Sequence, residues 1–235
     1  MVRKFVEYLF YLGIKNKLMR RVIDVISILV FFYILLYLWP YPTFAHSISY
    51  RQFKIYSDNN INNELLKPII DRAVNLASKS DVYDSTITVK ILLPESKLKY
   101  GILSLMYFRT IGFTNPFTKN VIISLPDLSL NRAYIDKSRN NYRSLDELIA
   151  HELCHIYQYK VLGYYSLVTL PIWIKEGYPE YISNPQVIGG FSIVNIDTTK
   201  LTNCDRDYIK YRQKVESVML KQPMGFRELS KYEDK

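Results

Sequence analysis

The chain has 235 residues, of which 49% are hydrophobic and 23% are charged, and its formal net charge is +9. This length suits one globular domain with an appendage. Residues 1–39 hold six basic and two acidic residues, so the remainder carries only +5, which is too small and too dispersed a charge to indicate nucleic-acid binding. Two cysteines, Cys154 and Cys204, exclude a disulfide framework.

The first predicted element is an apolar run at residues 22–39, interrupted only by Asp24 and Ser27. As a helix it would be about 27 Å long, close to the hydrocarbon thickness of a bilayer. We therefore predict a transmembrane helix or signal anchor at 22–39, after a basic segment at 1–21. The alternatives are a cleavable signal peptide and a buried core helix.

The basic residues around this run are asymmetric. Six lysines and arginines precede it, whereas the twenty residues after it contain only Arg51 and Lys54. By the positive-inside rule, this asymmetry predicts a cytoplasmic N-terminus and an exported remainder, periplasmic or extracellular. Trp39 lies where an interfacial aromatic belt is expected, and residues 40–51 are predicted to be a linker.

Residues 52–235 are predicted to form an α+β domain. Alternation of apolar and polar residues predicts strands, and 3.6-residue periodicity predicts an amphipathic helix with a bend near Pro68. The predicted elements, in chain order, are a strand at 52–56, the helix at 63–78, and strands at 86–93, 102–108 and 121–125.

The next predicted elements are a polar connection at 127–142, a helix at 144–162 and a more apolar connection at 163–170. Ser144 and Glu147 have the spacing of a capping box at the start of this helix. Farther on, 187–194 fits either a strand or a loop, 205–220 is predicted to be a helix, and 226–232 a short helix.

The helix at 144–162 carries the motif His-Glu-Leu-Cys-His at 151–155. Residues four apart share one face of a helix, so His151 and His155 can bind one metal ion. Glu152 would lie beside that ion and could take a proton from a water that the metal activates. A catalytic zinc needs a third protein ligand, for which Glu176 is the candidate.

These motifs resemble those of the gluzincin metallopeptidases, in particular the bacterial peptidase MA-like proteins. That family has H-E-L-T-H, about twenty further residues, and P-x-W-L-x-E-G-x-A-E-Y; this chain reads PIWIKEGYPEY at residues 171–181. The resemblance covers residues 144–183. The chain departs from it at Cys154, in place of the common threonine, and at Pro179, in place of a small helix former.

The resemblance implies a zincin-like fold and a zinc-dependent metallopeptidase acting on peptides or proteins, which the apolar run at 22–39 would anchor to the membrane. It implies that His151, His155 and Glu176 bind Zn²⁺, that Glu152 is the general base, and that Glu180 hydrogen-bonds a ligand histidine. It also implies that the strand at 121–125 is an edge strand lining the cleft, to which an extended peptide can add.

Three questions stay open in the sequence. Tyr178, Tyr208 and Tyr211 are candidates for stabilising the oxyanion. A membrane-anchored binding or assembly protein that keeps the peptidase fold is the alternative function, although retention of Glu152 speaks against it, and a zinc hydrolase of another substrate class is a third possibility. Cys154 is interpreted as a small buried hydrophobic residue, with a Cys154–Cys204 disulfide as the alternative.

Overall fold

The computed structural model describes residue 4 and residues 17–139, 141–164, 169–184 and 203–232. The chain divides into two compact units, Met1–Pro42 and Thr43–Lys235. The described part of the first unit is dominated by one long apolar helix, and the second unit is a mixed α/β domain.

Helix α1, Lys17–Leu38, belongs to the first unit. Its length and apolar composition are sufficient to cross a membrane. None of its residues is buried, which is unlike the core helix of a soluble protein. A signal sequence meets the same criteria, so α1 is a candidate for either a membrane span or a signal. The helix predicted at 22–39 is thus present and begins five residues earlier.

The second unit is built on a five-stranded mixed sheet. Its strands are β1 His46–Tyr50, β2 Phe53–Ser57, β3 Val89–Leu93, β4 Gly112–Thr114 and β5 Asn120–Ile123. They are ordered β1-β2-β3-β5-β4. The three inner strands are parallel, whereas β1 and β4 run antiparallel to their neighbours and form the two edges of this sheet.

A second, antiparallel sheet precedes the helix that carries the histidines. It consists of β6 Pro126–Asp127, β7 Arg132–Tyr134 and β8 Tyr142–Ser144, with β7 in the centre. Strand β8 leads directly into the helix, so the short sheet determines where that helix begins.

The helices of the second unit follow in chain order. They are α2 Asn63–Ala77, α3 Lys97–Leu103, α4 Leu145–Leu162, α5 Ile172–Ser183, α6 Asn203–Lys221 and α7 Phe226–Leu229, with a 3-10 turn at Tyr41–Thr43 at the boundary between the units. The predicted helices at 63–78, 144–162, 205–220 and 226–232 are confirmed within a few residues. The predicted strands at 52–56 and 86–93 are confirmed as β2 and the shorter β3.

Helix α4 is at the centre of the domain because it contributes to two hydrophobic clusters. In one, residues such as Leu148 and Leu153 pack with the main sheet and α2. In the other, Cys154 packs with Ile174 of α5 and Val215 of α6. Thirteen of the 18 residues of α4 are buried, so this helix is fixed on both sides.

The strand predicted at 102–108 is wrong. Residues 97–103 form α3, which Ser96 caps through a hydrogen bond from the Lys99 N–H, and the chain then turns through Leu105 and Met106 with positive φ. Short apolar runs do not distinguish a strand from a helix, and the buried Tyr100 and Leu103 belong to the helical spacing.

The edge position expected for 121–125 is also wrong. Strand β5 lies between β3 and β4 and is buried along its whole length, as an inner strand covered on both faces should be. The edge strand on this side of the sheet is β4, which at three residues is too short to show a period-2 pattern.

Two predicted connections contain strands. Residues 46–50, assigned to the linker at 40–51, form β1, and the polar connection at 127–142 contains most of the small antiparallel sheet. These strands are short and are defined by backbone pairing, and their composition resembles that of loops. Residues 165–168, inside the predicted connection at 163–170, and the ambiguous segment at 187–194 lie outside the described residues.

Candidate metal centre

The start of α4 is fixed by polar contacts that differ from the expected capping box. Ser144 is the N-cap residue, but its side chain makes no capping hydrogen bond and donates instead to Asp146 Oδ1. The carboxylate of Asp146 accepts from the Glu147 N–H at 2.9 Å and from Arg72 Nε at 2.6 Å. The prediction of a Ser144–Glu147 capping box is therefore wrong, because Asp146 lies closer to the free N–H groups.

The structure brings His151, His155 and Glu176 together. The two histidine Nε2 atoms lie 3.2 Å apart, and Glu176 Oε2 lies 3.4 Å from Nε2 of His155 and 3.7 Å from Nε2 of His151. The helical spacing of the histidines on α4 and the packing of α5 against it create this triangle. Both histidines are buried and Glu176 is largely so.

This triangle fits a small tetrahedral ion. A metal that binds nitrogen and oxygen at about 2.0–2.1 Å in tetrahedral geometry places its ligand atoms about 3.3 Å apart. The three observed edges lie close to that value, and the three ligand atoms form one group able to hold a metal ion. Two imidazoles and a carboxylate are also a ligand set that zinc accepts.

Glu180 and Arg143 lie behind His151. His151 Nδ1 is 3.1 Å from Glu180 Oε1, a hydrogen-bond distance, although the atoms are not aligned for a hydrogen bond, so the contact is mainly electrostatic. Two nitrogens of the Arg143 guanidinium, on β8, contact the Glu180 carboxylate: Nη1 lies 2.7 Å from Oε1, and Nη2 donates to Oε2 at 3.0 Å. Glu180 thus links Arg143 to His151, a position that suits the orientation of a ligand imidazole.

The charges of this cluster shift the pKa values of its members. Burial lowers the pKa of His151, but the carboxylates of Glu180 and Glu176 outweigh it and raise that pKa to about 9. Burial raises the pKa of Glu180, yet Arg143 and His151 lower it to about 2. The pKa of Glu176 is likewise held well below its usual value, since the attraction of both histidines outweighs burial. The acids of the cluster are therefore ionised.

Glu152, the predicted general base, is buried beside the triangle and contacts the edge strand β4. Thr114 Oγ1 donates to Glu152 Oε2 at 2.6 Å and lies 3.0 Å from its backbone oxygen. Gly112 faces the same carboxylate, because a Cβ at that position would lie 2.3 Å from Glu152 Oε1. The carboxylate therefore occupies space that only glycine leaves open, and a hydroxyl holds it there.

The three tyrosine candidates for oxyanion stabilisation have different surroundings in the structure. The Tyr178 hydroxyl is engaged by Ser80 Oγ at 2.8 Å and Asp81 Oδ1 at 2.9 Å, on the far side of α5 from the histidines. Tyr211 contributes a backbone oxygen that a Cβ on Gly177 would meet at 2.5 Å. The ring of Tyr208 lies 6.1 Å from that of His151, so Tyr208 is a candidate beside the metal centre.

Cys154 faces away from the metal triangle. It is free, fully buried and packed among Ile174 and Val215, and burial raises the pKa of its thiol far above the usual range. The interpretation of Cys154 as a small hydrophobic residue fits these contacts. The side chain of Cys204 lies outside the described residues.

Four residues that contact the candidate site were missed in the sequence: Gly112, Thr114, Arg143 and Gln158. Each is of a common residue type, and the first three lie outside the helical motifs. Gln158 shared the metal helix, and its position one turn after His155 was the only signal that could have singled it out.

Comparisons with known proteins found no match to this chain. No protein-family model, no curated protein and no solved structure matches this chain. The candidate site therefore stands on its own geometry.

Proposed function

We propose that this chain is a zinc-dependent metallopeptidase of gluzincin type, with a zincin-like fold, attached to the membrane by α1. The observation that carries the proposal is the triangle of two histidine Nε2 atoms and one Glu176 oxygen, with the Glu152 carboxylate beside it. The second helical motif at 171–181 supplies Glu176 and Glu180 in the order that the resemblance requires.

The number of ligands favours a catalytic over a structural site. Structural zinc sites are closed by four protein ligands, whereas catalytic sites keep one position open. Among the residues that the structure describes, the group that can hold a metal contains only His151, His155 and Glu176. An open coordination position is what hydrolysis needs.

Glu152 supplies the proton transfer in this proposal. His151, His155 and Glu176 would hold the zinc ion, which would supply a polarised scissile carbonyl and a water whose pKa is lowered to about 7. Glu152 then accepts the proton of the attacking water and passes it to the leaving amine. The hydrogen bond from Thr114 keeps one carboxylate oxygen in place, which leaves the other to receive that proton.

A peptide is the substrate class that we propose, because an edge strand contacts the proposed base. Strand β4 is an edge of the main sheet and contacts Glu152 through Thr114 and Gly112. Edge strands bind extended peptides through main-chain hydrogen bonds, which would align a scissile bond with the base. Strand β4 thus takes the role that the resemblance assigned to 121–125.

The proposed location is extracytoplasmic. The apolar helix α1 supports attachment to a membrane, and the basic residues before it support a cytoplasmic N-terminus. Protease digestion of sealed membrane vesicles tests this orientation. We expect the domain to be degraded in right-side-out vesicles and protected in inverted ones; the reverse would place it in the cytoplasm.

Metal content and hydrolysis, measured together on the full-length protein in detergent, test the peptidase function. We expect about one zinc per chain by elemental analysis and cleavage of a mixed set of quenched fluorescent peptides. Glu152→Gln should retain zinc and lose at least ~100-fold in kcat, the lower range for a general base. His155→Ala should lose both zinc and activity.

Two results would redirect the proposal. A fully active Glu152→Gln protein would overturn the mechanism. Zinc binding by the wild-type protein without cleavage of any peptide would favour the membrane-anchored binding protein, or a hydrolase of another substrate class.

A further inference from the structure

The departure from the family pattern at Pro179 coincides with an unusual contact between α4 and α5. Within a helix, the N–H of residue 179 would donate to the carbonyl of Lys175, four residues earlier. Proline has no N–H, and its ring crowds that carbonyl. The Lys175 oxygen therefore lacks its helical donor at a part-buried position where α5 packs against α4.

Gln158 on α4 supplies the missing donor. Its side-chain Nε2 donates to the Lys175 oxygen at 3.1 Å, and its Oε1 lies 3.1 Å from Nδ1 of His155. Gln158 is almost fully buried, with 1% of its surface exposed. One amide thus bridges a helix carbonyl and a candidate metal ligand.

The chemistry of these three groups determines their orientation. A carbonyl oxygen only accepts hydrogen bonds, so the Gln158 atom that faces Lys175 must be the NH₂ group. The atom that faces His155 is then the amide oxygen, which also only accepts. Nδ1 of His155 must therefore carry the hydrogen, and Nε2, the atom in the metal triangle, keeps its lone pair for a metal.

We infer that Pro179 and Gln158 form a positioning relay, in which the carbonyl freed by Pro179 orients the Gln158 amide, and the amide holds His155 as the tautomer that binds metal through Nε2. The inference rests on the proposed metal site and deepens it. Glu180 and Gln158 each face Nδ1 of one histidine: Glu180 acts on His151 by its charge, whereas Gln158 binds His155 by a hydrogen bond to a neutral amide whose direction is set by a backbone carbonyl.

A double-mutant cycle on zinc affinity tests the relay in the full-length protein. Gln158→Met keeps the side-chain length and removes both hydrogen bonds, so the zinc Kd should rise by ~10–100-fold, the usual effect of losing such a partner. Pro179→Ala restores a helical N–H that competes for the Lys175 carbonyl. Its effect should have the same sign and be smaller, because a carbonyl can accept two hydrogen bonds.

The cycle shows whether Pro179 and Gln158 change zinc affinity through one relay or independently of each other. If Pro179 acts through Gln158, Pro179→Ala should leave zinc affinity unchanged in the Gln158→Met background. Additive effects in the double variant, or an unchanged Kd in Gln158→Met, would overturn the inference. Gln222→Met on an exposed part of the chain and Pro68→Ala inside α2 are matched controls that should leave the Kd unchanged.

A spectroscopic measurement decides the tautomer without zinc or turnover. The chain has only three histidines, so ¹⁵N-histidine labelling gives three imidazoles, which single substitutions can assign. In the metal-free protein we expect the hydrogen of neutral His155 on Nδ1, with slow solvent exchange that becomes fast in Gln158→Met. A hydrogen on Nε2 in the wild type would overturn the relay.

The two proposals can fail independently. If the protein binds zinc but cleaves no peptide, the proposed peptidase function is wrong. The double-mutant cycle and the ¹⁵N-histidine spectrum then still test the relay. An active peptidase in which Gln158→Met changes neither zinc affinity nor the Nδ1 hydrogen would remove the relay alone.

Discussion

The hydroxyl of Thr114 donates a 2.6 Å hydrogen bond to Oε2 of Glu152, and so connects the edge strand of the sheet to the proposed general base. Both residues are buried, so water does not substitute for this donor readily. A hydrogen bond to a charged group contributes about 1.5–3 kcal/mol. The contact is therefore strong enough to hold the Glu152 carboxylate in one position.

We expect Thr114→Val, which keeps the shape and loses the hydroxyl, to lower kcat by ~10–100-fold, the equivalent of that free energy. Bound zinc should be unchanged, because Thr114 contacts none of the three ligands. Peptide cleavage and elemental analysis measure the two quantities. Thr114→Ser, which retains the donor, is the control and should stay near wild-type activity; equal losses in both variants would mean that packing, not the hydrogen bond, is responsible.

Gly112 should be sensitive to the smallest possible addition. A methyl group there would lie 2.3 Å from Glu152 Oε1 and 2.9 Å from Leu148 Cδ1, so the flexible carboxylate must move. We expect Gly112→Ala to lower kcat more than it changes KM, with zinc retained. Steady-state kinetics and metal analysis of the variant check this, and kcat at the wild-type value would show that Glu152 tolerates the displacement.

Arg143 should support both stability and metal binding. Removing it leaves the buried Glu180 carboxylate without its cationic partner, at a cost of about 3–5 kcal/mol. Because Glu180 faces His151, we also expect Arg143→Gln to weaken zinc binding by ~10–100-fold. Urea unfolding and chelator competition measure these effects. Arg139→Gln, at an exposed ion pair with Asp127, is the matched control and should change neither.

Glu147 predicts an unusual dependence of stability on pH. Burial raises its pKa to about 7, with Asp146 and Glu180 adding repulsion and Arg143 opposing them. Below about pH 4.5 the carboxyl is protonated in both states, whereas between 4.5 and 7 the unfolded state loses its proton first. Glu147 therefore destabilises the fold progressively as the pH rises through this window.

Glu147→Gln should remove that loss. The full shift corresponds to about 3 kcal/mol, which screening of this partly exposed side chain reduces to ~1–2 kcal/mol. We expect the variant's advantage in free energy of unfolding to grow by this amount from pH 4 to pH 8 in urea titrations. A constant difference across the range would contradict the raised pKa; Glu64→Gln, at an exposed position in α2, controls for loss of a charge.

The sequence predicted the metal helix and the pairing of its histidines, because residues at i and i+4 lie on the same face of a helix. Glu176 was a candidate from the need of a catalytic zinc for a third ligand, and the resemblance then assigned roles to Glu176 and Glu180. No local rule, however, places α5 against α4. Strand β4 and its residues Thr114 and Gly112 escaped prediction, because three residues carry no periodicity and their position depends on pairing with β5.

The capping of α4 and the contact of Gln158 with Lys175 escaped for a different reason. Ser144 and Glu147 matched a local pattern, but a carboxylate at Asp146, held by Arg72 from another helix, was a better-placed acceptor. The role of Gln158 depends on a carbonyl made available by Pro179, 21 residues later in the chain. Such contacts follow from tertiary packing, which short-range patterns do not encode.

Helix α5 is enclosed on every side at residues 176–180. Five consecutive helical residues point in all directions around the axis, and here each one contacts or is buried in the protein. Glu176 faces the histidines, and Gly177 packs against the backbone of α6. Tyr178 binds Ser80 and Asp81, Pro179 is buried, and Glu180 contacts Arg143. A helix anchored in this way cannot swing as a lid without breaking several buried contacts at once. Under the proposed function, we therefore expect a substrate to approach from the side of β4, the edge strand that contacts Glu152.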